Sequence, residues 1–152
     1  MDEVTGFHWH VHHEELVEWC HSYKERADFI RTEKRSIEQE LRLRLFKKVQ
    51  GMLPNEVVKA GQAYDEAEQV LDKAEQVLDK AWQAYNKQAH DEAWQAYYKA
   101  RQTFDKAWQP YDKARRAYND AITNNMPAII ALHEKECTDC PWDGHTIFPN
   151  AA

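Results

Sequence analysis

Ala81-Trp82-Gln83-Ala84-Tyr85-Asn86-Lys87 and Ala107-Trp108-Gln109-Pro110-Tyr111-Asp112-Lys113 are two copies of one seven-residue phrase that recurs from Gly61 to Ala121. Sustained seven-residue periodicity means long helices packed along a seam, because that spacing returns the same stripe of a helix to its partner. Ala60, Ala67, Ala74 and Ala81 recur in step, with Tyr64, Leu71, Leu78 and Tyr85 four places after each. Ala93, Ala100, Ala107, Ala114 and Ala121 continue the series, paired with Tyr97, Phe104, Tyr111 and Tyr118. A large residue at one seam position and Ala at the other lets two helices approach closely. The partner is read as another stretch of the same chain.

The register breaks once. Ala81 and Ala93 are twelve residues apart where two heptads need fourteen, which swings the seam by about a third of a turn on a straight helix. One unbroken rod over residues 54–125 would run roughly 108 Å. A reversal near Gln88–Asp91, with His90 or Asp91 capping the second arm, explains the break more simply. Pro110 falls inside that arm and is expected to kink it, at a cost of about 3 kcal/mol if uncompensated. The fold class read from the sequence is therefore mainly α. A long, antiparallel, coiled-coil-like helical hairpin (residues 53–126) carries a small α+β end domain, formed by an N-terminal segment (1–52) and a C-terminal tail (127–152).

Outside the repeat the patterns change. Phe7-His8-Trp9-His10-Val11-His12 alternates as a strand, which would line His8, His10 and His12 along one face. Leu41-Arg42-Leu43-Arg44-Leu45 alternates likewise, though Leu and Arg also favour helix. Between them Leu16, Cys20, Tyr23, Ala27 and Ile30 follow helical spacing. Ser22 with Glu25, and Ser36 with Gln39, read as caps. The economical arrangement is strand–helix–strand. Gly51-Met52-Leu53-Pro54 closes this segment, and Pro127 opens a short helix carrying Ile129, Ile130 and Leu132.

The chain of 152 residues carries a formal charge of −6 with no basic tail, so generic nucleic-acid binding is not supported. It has no apolar run long enough for a membrane span and no signal-peptide pattern. Leu, Ile, Val and Phe together make up less than a fifth of it, so a thin interior is expected, built on Ala, Trp and Tyr. Three cysteines, two in a Cys-x-x-Cys, fit a reducing cytoplasm and metal binding better than a disulfide framework.

The densest chemistry is His133-x3-Cys137-x2-Cys140-x4-His145, four ligands within thirteen residues and suited to a tetrahedral structural zinc site. Metal-free structural cysteines and a redox pair are the competing readings. If the hairpin returns to its origin, the tail meets residues 7–13, and His10 or His12 replaces His145. His8, His10 and His12 together form an alternative metal site for a small hydrolase, with Glu14 or Glu15 as base. Arg42 and Arg44, joined to the histidine face, would seat a phosphate or nucleotide. Trp82, Trp94 and Trp108 follow seam alanines. They shield the flank of a thin core or form a stripe that binds a protein partner or a second copy.

His10-Val11-His12-His13-Glu14, Leu41-Arg42-Leu43-Arg44-Leu45, the Ala-Trp-Gln-Ala-Tyr repeat and Cys137-x-x-Cys140-Pro141-Trp142-Asp143-Gly144 carry a resemblance that spans nearly the whole chain. The sequence resembles a group of uncharacterised small proteins of bacteriophages and environmental bacteria. That resemblance implies a virus-encoded protein acting in the cytoplasm of a bacterial cell, and brings no activity with it. Together these patterns lead to a non-enzymatic interaction module, with the metal-dependent hydrolase and the anion binder as rivals.

Overall fold

The computed structural model describes residues 5–150, which divide into two compact units. The first holds both ends of the chain, up to Pro54 and from Asn125 onward, and the second is Asn55–Asn124.

The second unit is the heptad region. Helices α3 (Asn55–Lys87) and α4 (Asp91–Asn124) pack against each other. Their contacts run antiparallel: Tyr64 stacks on Tyr118, Leu71 and Ala74 cluster with Ala107, and Trp82 meets Tyr97. The register break is the reversal. His90 caps α4, its Nδ1 accepting from the Ala93 amide at 3.2 Å, which does the work that Gly or Pro usually does at such a turn. Helix α4 continues as one element through Pro110. The seam pairs small with large: Ala74, Ala100, Ala107 and Ala121 are buried beside Leu71 and Tyr118. Tyr64 and Tyr111 meet across it, hydroxyl to hydroxyl, at 3.3 Å.

The first unit is built on a three-stranded antiparallel sheet ordered β2-β1-β3, from β1 (Gly6–Trp9), β2 (Val17–Cys20) and β3 (Lys47–Lys48). Two helices lie between the second and third strands, α1 (Tyr23–Glu33) and α2 (Ser36–Leu45), and α5 (Met126–Glu136) follows the hairpin. His8 points to one side of β1, between Tyr23 and Phe46. Trp9 points to the other, against His133 of α5. The core around Val11, Cys20, Ala27, Ile30 and Phe46 absorbs the third cysteine.

Several expectations for this segment are corrected. Leu41–Leu45 is the end of helix α2 rather than a strand. Its alternation is overridden by good helix formers and by the Glu38–Arg42 pair one turn apart, 2.9 Å between charged atoms. Residues 17–20 form a strand where helical spacing was read, and α1 begins only at the Ser22 cap, whose hydroxyl accepts from the Glu25 amide at 3.2 Å. Ser36 caps nothing, because it is already the first helical residue. Gln39 instead reaches back to the carbonyls of Arg31 and Lys34 and closes the end of α1.

The strand at the N-terminus stops at Trp9. His10 takes a left-handed backbone conformation, φ +52°, and its amide donates to the Leu16 carbonyl at 3.1 Å. The turn destroys the alternation, so His8, His10 and His12 share no face.

Candidate metal centre

Three separate stretches of sequence deliver the candidate ligands. His10 comes from the turn after β1, His133 from the last turn of α5, and Cys137 and Cys140 from the loop that follows it. The Nε2 atoms of His10 and His133 are 2.9 Å apart, and Cys140 Sγ lies 3.2 Å from His10 Nε2. Ligand atoms of His10, His133 and Cys137 all fall within 4.8 Å of one another, and those three residues are buried. A tetrahedral zinc with two imidazoles and two thiolates needs ligand-to-ligand edges of about 3.3 to 3.8 Å. The two distances to His10 Nε2 fall a few tenths of an ångström short of those edges, and Cys137 Sγ lies within 4.8 Å of both imidazoles.

Each ligand has a local reason for its position. Cys137 follows α5 directly, its amide donating to the His133 carbonyl at 2.7 Å. The Cys140 amide then donates to the Cys137 carbonyl at 3.3 Å, folding the Cys-x-x-Cys into a tight turn. The outside of that turn is held by Arg44, whose guanidinium donates to the Asp139 carbonyl at 3.4 Å. Non-glycine residues in the left-handed region carry a modest strain that surrounding structure must hold, and they concentrate at functional positions. His10 is such a residue.

Glu136 fixes α5 to the sheet. Its carboxylate accepts from Trp9 Nε1 at 2.8 Å and from the backbone amides of Gln50 and Gly51. Burial opposes its charge, yet these donors hold its carboxyl below the usual carboxylate range. Nothing in the sequence pattern singles out Glu136. Its partners come from residues about 85 and 127 positions away, a distance at which periodicity carries no signal.

The electrostatics favour a cation bound by neutral imidazoles. Burial first, and His133 second, push the His10 pKa down to about 4. Burial lowers His133 as well. Both are thus neutral at pH 7, the form that ligates. Burial and then Cys140 push the Cys137 thiol up to about 11. Burial raises Cys140 too, opposed by the Trp142 backbone amide, Arg44 and Lys47. Such thiols are poor nucleophiles at neutral pH, which argues against the redox reading. A divalent cation reverses this logic by deprotonating its own thiol ligands. A cavity of about 350 Å³ lined by His133, Cys137, Cys140 and Trp142 gives an ion a way in.

The other candidates lie elsewhere. His145 is exposed, and its segment turns on Asp143, which accepts from the amides of His145 and Thr146 at 2.8 and 2.9 Å. Thr146–Phe148 is an anchor rather than a strand. Ile147 is buried, and its amide donates to the His13 carbonyl at 3.1 Å. His8 is buried on the opposite side of β1, with Nδ1 2.9 Å from the Gly6 carbonyl. His12 is exposed and lies 2.7 Å from Glu18. The three N-terminal histidines therefore do not converge on one metal, and only His10 joins the cluster.

Arg42 is buried, paired with Glu38 and lying over the Phe148 ring at 5.1 Å. Arg44 holds Asp139, so the two arginines do not form one anion seat. Arg42 does border a cleft of about 290 Å³ with Arg26 and Lys34, but Glu14, Glu15 and Glu18 line it too and offset their charge. Trp82, Trp94 and Trp108 are each about half exposed, at 47%, 50% and 48%. Their rings lie tilted against those of Tyr97, Tyr85 and Tyr111. They flank the seam and leave part of each indole in solvent. No helix is long and apolar enough to cross a membrane among the described residues.

No family model, no curated protein and no solved structure matches this chain.

Proposed function

We propose that this protein is a non-enzymatic interaction module whose two chain ends are stapled by one structural zinc ion, held by His10, His133, Cys137 and Cys140. The observation that supports this most directly is the convergence of His10 Nε2 with His133 Nε2 at 2.9 Å and Cys140 Sγ at 3.2 Å, from ends of the chain more than 120 positions apart. Two thiolates balance the charge of Zn²⁺, and a full set of four protein ligands is the pattern of a structural site, not a catalytic one. The zinc then does for the small unit what a larger core would do: it adds cross-linking free energy where little apolar area is available.

The hairpin is the part that meets a partner. Trp82, Trp94 and Trp108 supply half-exposed aromatic edges of the kind that anchor protein interfaces. The resemblance to bacteriophage proteins gives this reading its setting: a phage-encoded protein acting on a host or viral protein in the bacterial cytoplasm.

Elemental analysis of the purified full chain tests the staple, with one zinc per chain expected. A folded protein that binds no zinc overturns it. The interaction reading is tested separately, by pull-down from bacterial lysate beside a screen for turnover of small molecules. Turnover by the intact protein, together with an empty pull-down, overturns that reading.

A further inference from the structure

The hairpin's two flanks differ. On one side the residues just after the seam alanines are Glu68, Glu75, Trp82, Trp94, Arg101 and Trp108. On the other side the residues just before the large seam positions are Val70, Val77 and Ala84 on α3, and Ala96, Thr103 and Pro110 on α4. In an antiparallel pair these second sets face the same side, so they form one shallow groove. The structure contains it as a cavity of about 500 Å³ lined by Val70, Ala74, Val77, Ala107 and Pro110. Val70 and Val77 are 58% and 56% exposed, large values for β-branched apolar residues in regular helix.

Along its middle the groove is rimmed by lysines. Lys73 and Lys106 border it directly. Lys80 and Lys87 follow Lys73 at seven-residue steps along α3, and Lys99 and Lys113 flank Lys106 on α4. Acids take the same heptad position farther along the arms, at Glu66 on α3 and at Glu92 and Asp120 on α4. A row of aspartates lies on another face. Asp72, Asp79, Asp105 and Asp112 each immediately precede a rim lysine, about 100° around the helix. Gln76, Gln83, Gln102 and Gln109 fall between the two charge rows. An acidic protein has thus segregated six lysines around an apolar trough. A second copy placed groove to groove would bring lysine rows together, and like charges repel.

We infer that this groove docks an acidic amphipathic helix of another protein, its apolar stripe seated on Val70, Ala74, Val77, Ala107 and Pro110 and its carboxylates paired with the lysine rims. The inference rests on the interaction reading above and supplies its partner class. The binding mode is a helix laid in a groove, with apolar burial giving affinity and the rims giving orientation. It is independent of zinc, and it assigns the opposite flank from the tryptophans.

The test uses the full chain and two synthetic helical peptides with one apolar Leu/Ala stripe, flanked by Glu in one peptide and by Lys in the other. Fluorescence anisotropy should show the Glu peptide binding at least tenfold more tightly than the Lys peptide. Raising salt from about 0.05 to about 0.5 M should weaken it severalfold. Val70→Ser with Val77→Ser should lower the affinity at least tenfold, with circular dichroism unchanged. Lys73→Glu with Lys106→Glu, both at exposed positions, should reverse the preference toward the Lys peptide. Equal binding of both peptides, or binding of neither by the folded chain, overturns the inference. So does a dimer in sedimentation that the valine substitutions dissociate, because the groove is then filled by a second copy. Peptide binding lost on Trp82→Ala, Trp94→Ala and Trp108→Ala but kept in the valine variant also overturns it, while leaving the interaction reading standing.

Discussion

His10 and His133 are 123 positions apart in the chain, yet their Nε2 atoms stand 2.9 Å apart with both rings buried. Two neutral imidazoles at that spacing share one proton, one ring donating and the other accepting. A cation between them would take a lone pair from each ring, and the proposed zinc site adds the two cysteines as its remaining ligands. The pair is the point at which the first strand and the last helix of the chain meet.

Cobalt substitution distinguishes which residues ligate. The Co²⁺-loaded protein should show the visible bands of tetrahedral coordination and a thiolate charge-transfer band. Cys140→Ser, Cys137→Ser and His10→Ala should each lose or shift those bands. His145→Ala and His12→Ala should leave them unchanged, since both residues are exposed and outside the cluster. Chelation should lower the melting temperature by about 10 °C or more. Loss of the spectrum in His145→Ala with retention in His10→Ala would return the site to a contiguous C-terminal motif.

Gly51 packs closely against α5, and a side chain there would make the tips of Leu132 and Glu136 shift. A Cβ there would sit 2.5 Å from Leu132 Cδ1 and 2.9 Å from Glu136 Oε1. Gly51→Ala should therefore pry α5 from its seat and cost about 1 to 3 kcal/mol in urea unfolding. Glu136→Gln should be destabilising by a similar amount, because it weakens three hydrogen bonds at once. Wild-type stability in Gly51→Ala would show that α5 is not held at this point.

Glu38 and Arg42 form a pH-sensitive pair. Arg42 first, and Arg35 second, hold the Glu38 carboxyl below its ordinary 4.5. A folded value below the unfolded one means that this carboxylate stabilises the fold above about pH 4.5, and that the contribution fades as pH falls below it through the folded value. Glu38→Gln should cost about 2 kcal/mol near neutral pH and flatten that part of the acid-unfolding curve. Parallel wild-type and variant curves from pH 6 to 2 would contradict the assignment.

Pro110 lacks the amide that an interior helical position donates, and α4 nevertheless continues through it. Pro110→Ala restores the donor, and thermal unfolding should register a gain of about 1 to 3 kcal/mol. A loss of stability would mean that the proline ring's packing in the groove outweighs the missing hydrogen bond.

His90→Ala removes the side-chain cap on α4 and should cost about 1 kcal/mol. Hydrogen exchange should locate the loss in the amides near Ala93. Uniformly faster exchange across both helices would indicate that the reversal contributes to the whole hairpin.

The heptad region was legible because its information is local. Each Ala and each Tyr, Phe or Leu repeats at a fixed interval, so the seam and even the reversal between Ala81 and Ala93 follow from counting. The N-terminal third was misread for the same reason turned around. Leu41-Arg42-Leu43-Arg44-Leu45 satisfies a period of two, yet the Glu38–Arg42 pair and intrinsic helix preference decide otherwise. The alternation of Phe7 to His12 is equally regular in sequence, but the left-handed turn at His10 ends it.

Spacing singles out Cys137 and Cys140 as candidate ligands, and the helical turn before them singles out His133. His10 was offered by the sequence as one of two substitutes for His145 and as part of a His8, His10 and His12 set, because its qualification is where the backbone brings it. Periodicity and short motifs report forces between residues a few positions apart, and these determined the hairpin and three of the four clustered residues. The choice among distant histidines, the seating of α5 through Glu136 and the burial of Arg42 depended on contacts across the whole chain, which only packing decides.

Two chain ends meeting at one buried set of nitrogen and sulfur atoms is the physical basis for the stapled-module reading. A folded, zinc-free protein at full stability would remove it.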